Sequence, residues 1–337
     1  MNSGKANGLI PAAFLYKPTL SFPITMLATV LTIGLAFLNA ESLPKKPSFQ
    51  KALRELKIPP PWLDSVNVNF DTTRPWNKAW DHIEQLLFTA EPEDRKKAVK
   101  ITWIYQKAGR AKVGYPATVY FLTGEYAWSL SEFLKTKDMN AVTYTRMAAC
   151  YRHFGEFRKA LDALARARGK LPGPPWGDFK KAQVMEAQGE VYSEMKDRTR
   201  ARLAFKKAIQ TYQACKLPKR NAYLIPRSVD RVKSRMALLD IASLKGRRMK
   251  NGTFSGSTLG YSDTITAHVT IGGGKITGIK LDHREKADLG AKHIIPKRIV
   301  SRQSLPVDTV TGATITSKGI ESAVFSALKK SAGLSKD

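Results

Sequence analysis

Two segments in the middle of the chain share one spacing of small and bulky residues, and this spacing restricts that part of the fold to paired helices. In the first segment, offsets 0, 3, 12, 16 and 19 are occupied by Ala148, Tyr151, Ala160, Leu164 and Ala167. The same offsets recur 41 residues later at Gly189, Tyr192, Ala201, Phe205 and Ala208. Small residues allow two helices to approach closely, and bulky ones fill the space between successive pairs.

This pattern resembles the tetratricopeptide repeat, in which each copy is a helix hairpin. Gly155 and Pro172 stand where the turn and the end of such a repeat are expected, and a loop rich in proline and glycine after Leu171 explains the long spacing. Two copies alone would scarcely be stable, so helices at Arg95–Lys107 and Val119–Leu134 are interpreted as diverged repeats. A helical bundle with a chance alanine spacing is the alternative.

An uncharged apolar run extends from Leu20 to Ala40, after Lys5 and Lys17. Its length and its basic flank predict a signal peptide or a single membrane anchor over residues 1–40. A buried soluble helix is the alternative. In either favoured case the chain after Glu41 lies outside the cytoplasm. Residues 41–75 are rich in proline and lysine and predict a tether with one short helix.

The chain of 337 residues contains 56 Lys and Arg against 28 Asp and Glu. This excess favours acidic partners, and the predicted export makes nucleic acid an unlikely one. Basic residues of the repeat region include Arg152, Arg158, Lys159, Arg166, Arg168, Lys180 and Lys181. They predict a surface for an acidic partner, or a solvated face.

The few cysteines and histidines indicate no metal site. Cys150 and Cys215 could form a disulfide if their Cα atoms lie close together, although Cys150 falls within a repeat, where a small buried residue is the commoner explanation. The histidines lack the spacing of metal ligands, and no catalytic dyad is evident.

Near Lys250 the sequence becomes rich in glycine and β-branched residues. Apolar residues alternate with polar ones from Thr264 to Ile271, which predicts a half-buried strand. The Gly272–Gly274 run predicts a turn, and Lys275–Leu281 the returning strand, with a bulge near Gly278. Gly256 and Gly260 suggest a preceding strand with tight bends. A helix follows the run of small residues Thr309–Ser317, with one apolar face formed by Ile320, Ala323, Val324, Ala327 and Leu328.

The start of this last helix follows a run of small, hydroxylated residues. Thr316 or Ser317 is expected to cap the first turn, and Lys318 adds a positive charge, so this helix end suits an anion such as phosphate. Each such exposed contact contributes only about 0.3–1 kcal/mol, too little to hold a phosphorylated cofactor outside the cell. A covalent link through the Thr314 hydroxyl would remove this problem, and Gly312 and Ala313 leave room for a modifying enzyme.

The segment Asp308-Thr309-Val310-Thr311-Gly312-Ala313-Thr314 is similar to the motif of covalently flavinylated FMN-binding domains. These domains occur in flavin subunits of the sodium-pumping NADH:quinone reductase and of Rnf-type complexes. The resemblance includes "NGTFSG", "GY" and "VTIGGGKITGI" and covers residues 248–332. It implies an FMN joined through its phosphate to Thr314 by an FAD:protein FMN transferase. The implied cofactor site further contains Asp308, Thr311, Gly312, Ala313, Thr316, Ser317 and Lys318.

In one loop the sequence departs from these relatives. Many of them have a Glu-Thr-Pro-Gly-like loop that helps to shape the flavin ring pocket. Here the loop reads "HREKADLGAKH", which retains His283, Glu285 and Gly290 but lacks Thr-Pro-Gly. The sequence therefore does not identify which residues contact the flavin ring.

The sequence as a whole predicts an all-α tetratricopeptide-like region over residues 76–245 and a small α+β FMN-binding domain over residues 248–332, after a transmembrane or signal helix. The leading functional hypothesis is an exported electron carrier whose helical region docks a redox partner. The alternatives are a scaffold with a vestigial flavin domain and a flavin-dependent reductase of a small acceptor.

Overall fold

The computed structural model describes residues 48–89, 91–137, 139–285, 290–307, 309–310 and 313–334. The predicted signal or anchor segment, residues 1–40, lies outside this described part. Among the helices that are described, none has the length and apolar character needed to cross a bilayer.

In the described part of the chain, helices extend from Phe49 to Leu244, and a three-stranded sheet with two further helices follows. The helices of the first part are α1 (Phe49–Glu55), α2 (Trp76–Phe88), α3 (Pro92–Lys107), α4 (Tyr115–Thr123), α5 (Tyr126–Lys135), α6 (Ala141–His153), α7 (Phe157–Arg168), α8 (Gly177–Glu194), α9 (Arg198–Ala214) and α10 (Leu224–Ala237), with 3-10 segments at Pro61–Leu63, Lys219–Asn221 and Leu238–Leu244. The second part contains β1 (Gly252–Leu259), β2 (Thr264–Gly272), β3 (Lys275–His283), α11 (Ala291–Arg302) and α12 (Thr314–Ser331). The predicted order of a helical region and a small α+β region is confirmed.

The two predicted copies form the helix hairpins α6–α7 and α8–α9. Gly189 of α8 and Phe205 of α9 show why the spacing matters, because a Cβ atom on Gly189 would lie 2.5 Å from the Phe205 ring. Ala160, Leu164 and Ala201 are fully buried between the helices. The hairpins are therefore confirmed, while their assignment to the tetratricopeptide family stays a prediction.

A third hairpin, α4–α5, has the same turn as these two. At the equivalent turn positions, Gly124, Gly155 and Lys196 have positive φ angles of 93°, 71° and 65°. In each hairpin the next residue is acidic, and its amide donates to the carbonyl of the tyrosine five residues earlier. The prediction of one helix over Val119–Leu134 is wrong, because the chain reverses at Gly124; the helix predicted at Arg95–Lys107 is present as α3.

Residues 48–66, which the composition assigns to a tether, are folded onto the helical region. Phe49 and Leu63 are buried, and the Phe49 amide donates to Glu156 Oε1 (3.0 Å). Cys150 and Cys215 are both buried and unbonded to each other. Cys150 lies in the main helical core, which agrees with the expectation of a small apolar residue.

The sheet is antiparallel in the order β1-β2-β3. Ile265, Ala267, Val269 and Ile271 of β2 are buried, as the alternation predicts. Gly273 and Gly274 form the hairpin turn with positive φ angles. Thr270 pairs with Gly278 and Ile271 with Ile276, so Thr277 is the extra residue of a bulge beside Gly278, as predicted.

Helix α12 lies directly on one face of the sheet, and α10 and the 3-10 segment Leu238–Leu244 pack against α12. A Cβ atom on Gly256 of β1 would lie 2.2 Å from the carbonyl oxygen of Ala323, so this glycine allows α12 to approach β1 rather than bending the strand. The predicted apolar face of α12 is buried. Leu244 and Met249 belong to the same core, and Ser234 of α10 bonds to Thr258 of β1 (2.7 Å).

Candidate functional site

The predicted attachment residue, Thr314, is the first residue of α12. Three connecting segments meet this end of the helix. They are the β1–β2 turn (Gly260–Asp263), the segment that follows β3, and the loop from Gln303 to Ala313 between α11 and α12, which we call the motif loop. Carboxylates fix all three segments.

Glu285, just after β3, connects the β1–β2 turn to α12. Its Oε2 accepts from the Tyr261 amide (2.9 Å) and from the Thr316 hydroxyl (2.6 Å). Its Oε1 accepts from the amides of Ser262 (2.9 Å) and Asp263 (3.0 Å). The carboxylate thus satisfies three successive amides of a turn, which would otherwise require water.

Gly260 is needed for this arrangement. A Cβ atom at this position would lie 2.5 Å from Glu285 Oε1 and 2.7 Å from Ile265 Cδ1. The carboxylate therefore reaches the turn only because residue 260 has no side chain.

Glu321 and Ser317 hold the motif loop against α12. The amide of Val307 donates to Glu321 Oε1 (2.8 Å), and the amide of Val310 donates to Ser317 Oγ (3.0 Å). From α11, the Arg298 guanidinium donates to the Thr309 carbonyl (3.4 Å). The loop is thus fixed on both sides of Asp308, which, like Thr311 and Gly312, lies outside the described residues.

The expected cap of α12 is wrong. Ala313 is the N-cap residue, and it makes no side-chain hydrogen bond to the first turn. Thr316 and Ser317 lie inside the helix, where their hydroxyls contact Glu285 and the motif loop. The first amides of any helix have no partner within that helix, so a side chain, water or an anion must satisfy them.

Lys318 does not present an isolated positive charge at the helix end. Its Nζ donates to Glu321 Oε2 (2.7 Å), and the Glu321 side chain is fully buried. The ion pair compensates the lysine, so Lys318 adds little to the partial positive charge of the helix backbone at this end.

Arg227 of α10 joins the helical region to this site. Its guanidinium donates to the carbonyls of Tyr261 (3.0 Å) and Ser262 (2.9 Å), so the β1–β2 turn is bound by Glu285 through its amides and by Arg227 through its carbonyls. Burial raises the pKa of the Tyr261 phenol above its usual value of 10, so this side chain stays neutral.

Part of the C-terminal region is similar to a known protein family. Residues 260–329 match the family model of the FMN-binding domain. The match begins in the β1–β2 turn and ends within α12, so it contains Glu285, the motif loop and Thr314. It supports FMN as the cofactor and the assignment of the chain to the flavoproteins. Comparison with curated proteins and with solved structures returned no match.

The start of α12 contains Ala313, Thr314, Thr316, Ser317 and Lys318, and their role in binding the cofactor stays a prediction. A threonine hydroxyl at the start of a helix is chemically suited to a phosphate held by a covalent bond and by backbone amides. Sequence reasoning missed the roles of Glu321 and Arg227. Glu321 had a detectable signal, because it lies on the helix stripe of Ser317, Val324 and Leu328, where an acid has no place unless it is paired.

An apolar pocket lies at the opposite end of α12. Met249, Ile276, Leu305 and Leu328 are among its lining residues. Leu328 is 14 residues from Thr314, or about 21 Å along the helix axis. This pocket is therefore separate from the candidate site. Among the described residues, no group of three or more His, Cys, Asp or Glu side chains is arranged to hold a metal ion.

Proposed function

We propose that this protein is an electron-transfer flavoprotein that holds one FMN through a phosphodiester bond to Thr314. The single observation that supports this most is the coincidence of the FMN-binding family match with a threonine at the start of α12, in the motif Asp308–Thr314. When bound, FMN supplies one- or two-electron redox chemistry.

The residues of the site would have the following roles. Thr314 Oγ1 would form the bond to phosphorus, and the dipole at the start of α12 would stabilise the phosphate charge. Thr316 and Ser317 hold the helix start in position rather than binding the phosphate. Asp308, Thr311 and Gly312 are assigned to recognition by the transferase, or to close approach, on the motif alone.

The attachment needs a donor and an enzyme. An FAD:protein FMN transferase would direct Thr314 Oγ1 to the FMN phosphorus of FAD, so that the new O–P bond forms, AMP leaves and the hydroxyl proton is lost. Thr314 is only 4 % exposed in the folded chain. The transferase therefore requires the motif loop to open, or acts before this loop closes on α12.

The attachment is tested by co-expressing the full chain with a flavin transferase and measuring flavin fluorescence in a denaturing gel. We expect fluorescence in the parent and none in Thr314→Val, which is close in shape but has no hydroxyl. Thr309→Val, the same change in a buried threonine of the motif loop, is the matched control and should retain the flavin. Fluorescence that persists in Thr314→Val would refute the attachment site.

We further propose that the protein works outside the cytoplasm, because of the apolar segment at Leu20–Ala40 and its preceding lysines. A reporter fused after Asp337 should be active only if it functions in the exported compartment. Activity of a reporter that works only in the cytoplasm would contradict this.

The helical region would dock an acidic redox partner. Arg158 and Arg166 are exposed and suit this role, whereas Arg152 is 6 % exposed and pairs with Glu190 and Glu194. Lys180 suits it less, because burial lowers its pKa to about 8. Electron transfer to the partner should slow as salt shortens the Debye length from about 30 Å to about 8 Å. Transfer that ignores both salt and charge reversal at Arg158 and Arg166 would remove the docking role.

A further inference from the structure

We propose that Arg227, on the last helix of the helical region, is a positioning residue for the flavin site. The inference rests on the proposed function, since it concerns the geometry around Thr314. It assigns to the helical region a second role, beyond docking: this region sets the position of the segment to which FMN is attached.

Arg227 contacts two carbonyl groups of the β1–β2 turn. One guanidinium nitrogen donates to the Tyr261 carbonyl and another to the Ser262 carbonyl, so the planar group spans two successive peptide units. An arginine makes such a two-point contact, which a lysine cannot reproduce. Arg227 is itself half-buried and lies over the Tyr223 ring at 5.7 Å.

Glu285 binds the same peptide units from the opposite side. The amides of Tyr261, Ser262 and Asp263 all donate to Glu285. A cation on the carbonyl side and an anion on the amide side both agree with the direction of the peptide dipoles. The turn is therefore fixed by two side chains from distant parts of the sequence, and each restrains the place of the other.

Glu285 also contacts the first turn of α12, which contains the attachment residue. The oxygen that accepts from the Tyr261 amide also accepts from the Thr316 hydroxyl at 2.6 Å. Thr316 is two residues after Thr314, within the first turn of α12. A shift of the β1–β2 turn would move the Glu285 carboxylate, and with it the first turn of α12.

Helix α10 is bonded both to α8 and to the C-terminal region. Arg231 and Arg235, one and two turns after Arg227, both bond to the buried Glu186 of α8. Ser234 bonds to Thr258 of β1, and its carbonyl accepts from Ser322 of α12 (3.4 Å). Since α10 is bonded both to α8 and to the C-terminal region, a displacement of α8 by a docked partner would reach the β1–β2 turn through Arg227.

A simpler role, in which Arg227 only strengthens the contact between the two regions, predicts a different result. In that case its loss would destabilise the contact as a whole and leave the start of α12 unchanged. Arg202 of α9 provides the matched control, because its exposed ion pair with Asp240 also joins a helical element to the 3-10 segment before the sheet. Removing Arg202 should not affect the flavin site.

The test uses hydrogen exchange, measured by mass spectrometry, on the full chain in the Thr314→Val background, which holds no attached flavin. We expect Arg227→Ala to raise exchange by about tenfold or more at the amides of residues 261–263, as expected for lost bonds to charged groups, and to raise it also in the first turn of α12. Arg227→Lys should give a smaller increase and guards against a variant that unfolds. Arg202→Ala should resemble the parent in both segments, and unchanged exchange in α8 and α9 shows that the helices remain folded.

The second readout is the flavin of the co-expressed chain with Thr314 intact. Arg227→Ala and Arg227→Lys should still acquire flavin, but with a shifted midpoint potential and an altered visible circular dichroism spectrum. If exchange changes only in α10 and the β1–β2 turn, or if the potential and spectrum equal those of the parent, Arg227 is not a positioning residue. If the parent acquires no flavin, the proposed function fails, and the exchange experiment still decides whether Arg227 fixes the start of α12.

Discussion

Glu186 in the helical region has different partners from Glu285 and Glu321 in the C-terminal region. In the helical region, Glu186 accepts from the guanidinium groups of Arg231 and Arg235 and from the Tyr212 hydroxyl (2.8 Å). In the C-terminal region, Glu321 accepts from the Val307 amide and from Lys318, and Glu285 accepts mainly from backbone amides. The first kind of carboxylate joins helices, and the second kind holds loops.

The difference follows from the backbone. A helix satisfies its own amides and carbonyls, so a buried acid between helices must find a charged side chain from another helix. The loops around the start of α12 leave amides without a partner, and a carboxylate satisfies several of them at once. In the C-terminal region such carboxylates fix the β1–β2 turn and the motif loop, which border the candidate site.

The largest effect should come from Glu186→Gln. The amide keeps the shape but removes the charge that compensates two arginines, and breaking a buried ion pair costs about 3–5 kcal/mol of unfolding free energy. Chemical denaturation of the full chain measures this. Arg202→Ala, which removes an exposed pair, should cost less than about 1 kcal/mol. A cost of the same size in both variants would show that the buried network adds no specific stability.

Acid pH provides a control for this prediction. Burial alone would raise the pKa of Glu186, but Arg231 and Arg235 outweigh it and lower this pKa below its usual 4.5. The contribution of Glu186 is thus complete above pH 4.5 and is lost as the pH falls toward the lower pKa of the folded state. The stability difference between parent and Glu186→Gln should shrink in this range, and a difference independent of pH would contradict the assignment.

The next largest loss of stability is expected from Gly256→Ala in the C-terminal region, compared with Gly189→Ala in the helical region. Gly256→Ala would bring a Cβ atom within 2.2 Å of the Ala323 carbonyl, a backbone atom of α12 that cannot turn away. Gly189→Ala meets only the Phe205 ring. We expect Gly256→Ala to cost at least about 3 kcal/mol and Gly189→Ala about 1–2 kcal/mol, by thermal or chemical unfolding. Phe205→Leu should rescue Gly189→Ala, and failure of this rescue would mean that the ring is not the obstacle.

The smallest effect should come from Glu321→Gln. The side-chain carbonyl can still accept from the Val307 amide, and Lys318, whose side chain is 29 % exposed, can turn toward water. We expect a loss of about 0.5–1.5 kcal/mol, measured by chemical denaturation. A loss as large as that of Glu186→Gln would remove the distinction between the two kinds of carboxylate.

The parts of the fold that depend on local pattern could be predicted from the sequence. The alternation from Thr264 to Ile271, the Gly273-Gly274 turn and the apolar face of α12 are each set by neighbouring residues. The split at Gly124 was missed because the apolar pattern is continuous across it. Helix α11 was missed as well, since it contains Pro296, a residue that argues against a helix interior.

The candidate site was predictable only at the motif. Thr314 and its neighbours could be identified because they are contiguous, and the family match supports FMN there. The partners of Glu285 at Ser262 and Thr316, and those of Arg227 at Tyr261, are 23 to 34 residues apart in the sequence. No local pattern encodes such contacts, because they depend on how the sheet and α10 pack.

The most direct test of the account is the location of the flavin on the chain. Trypsin should release residues 303–318, between Arg302 and Lys318, as one peptide that contains Thr309, Thr311, Thr314 and Thr316. After co-expression with the transferase and full denaturation, this peptide should have the added mass of one FMN residue, and fragmentation should place it on Thr314. An unmodified peptide, or an FMN on another residue, would contradict the account.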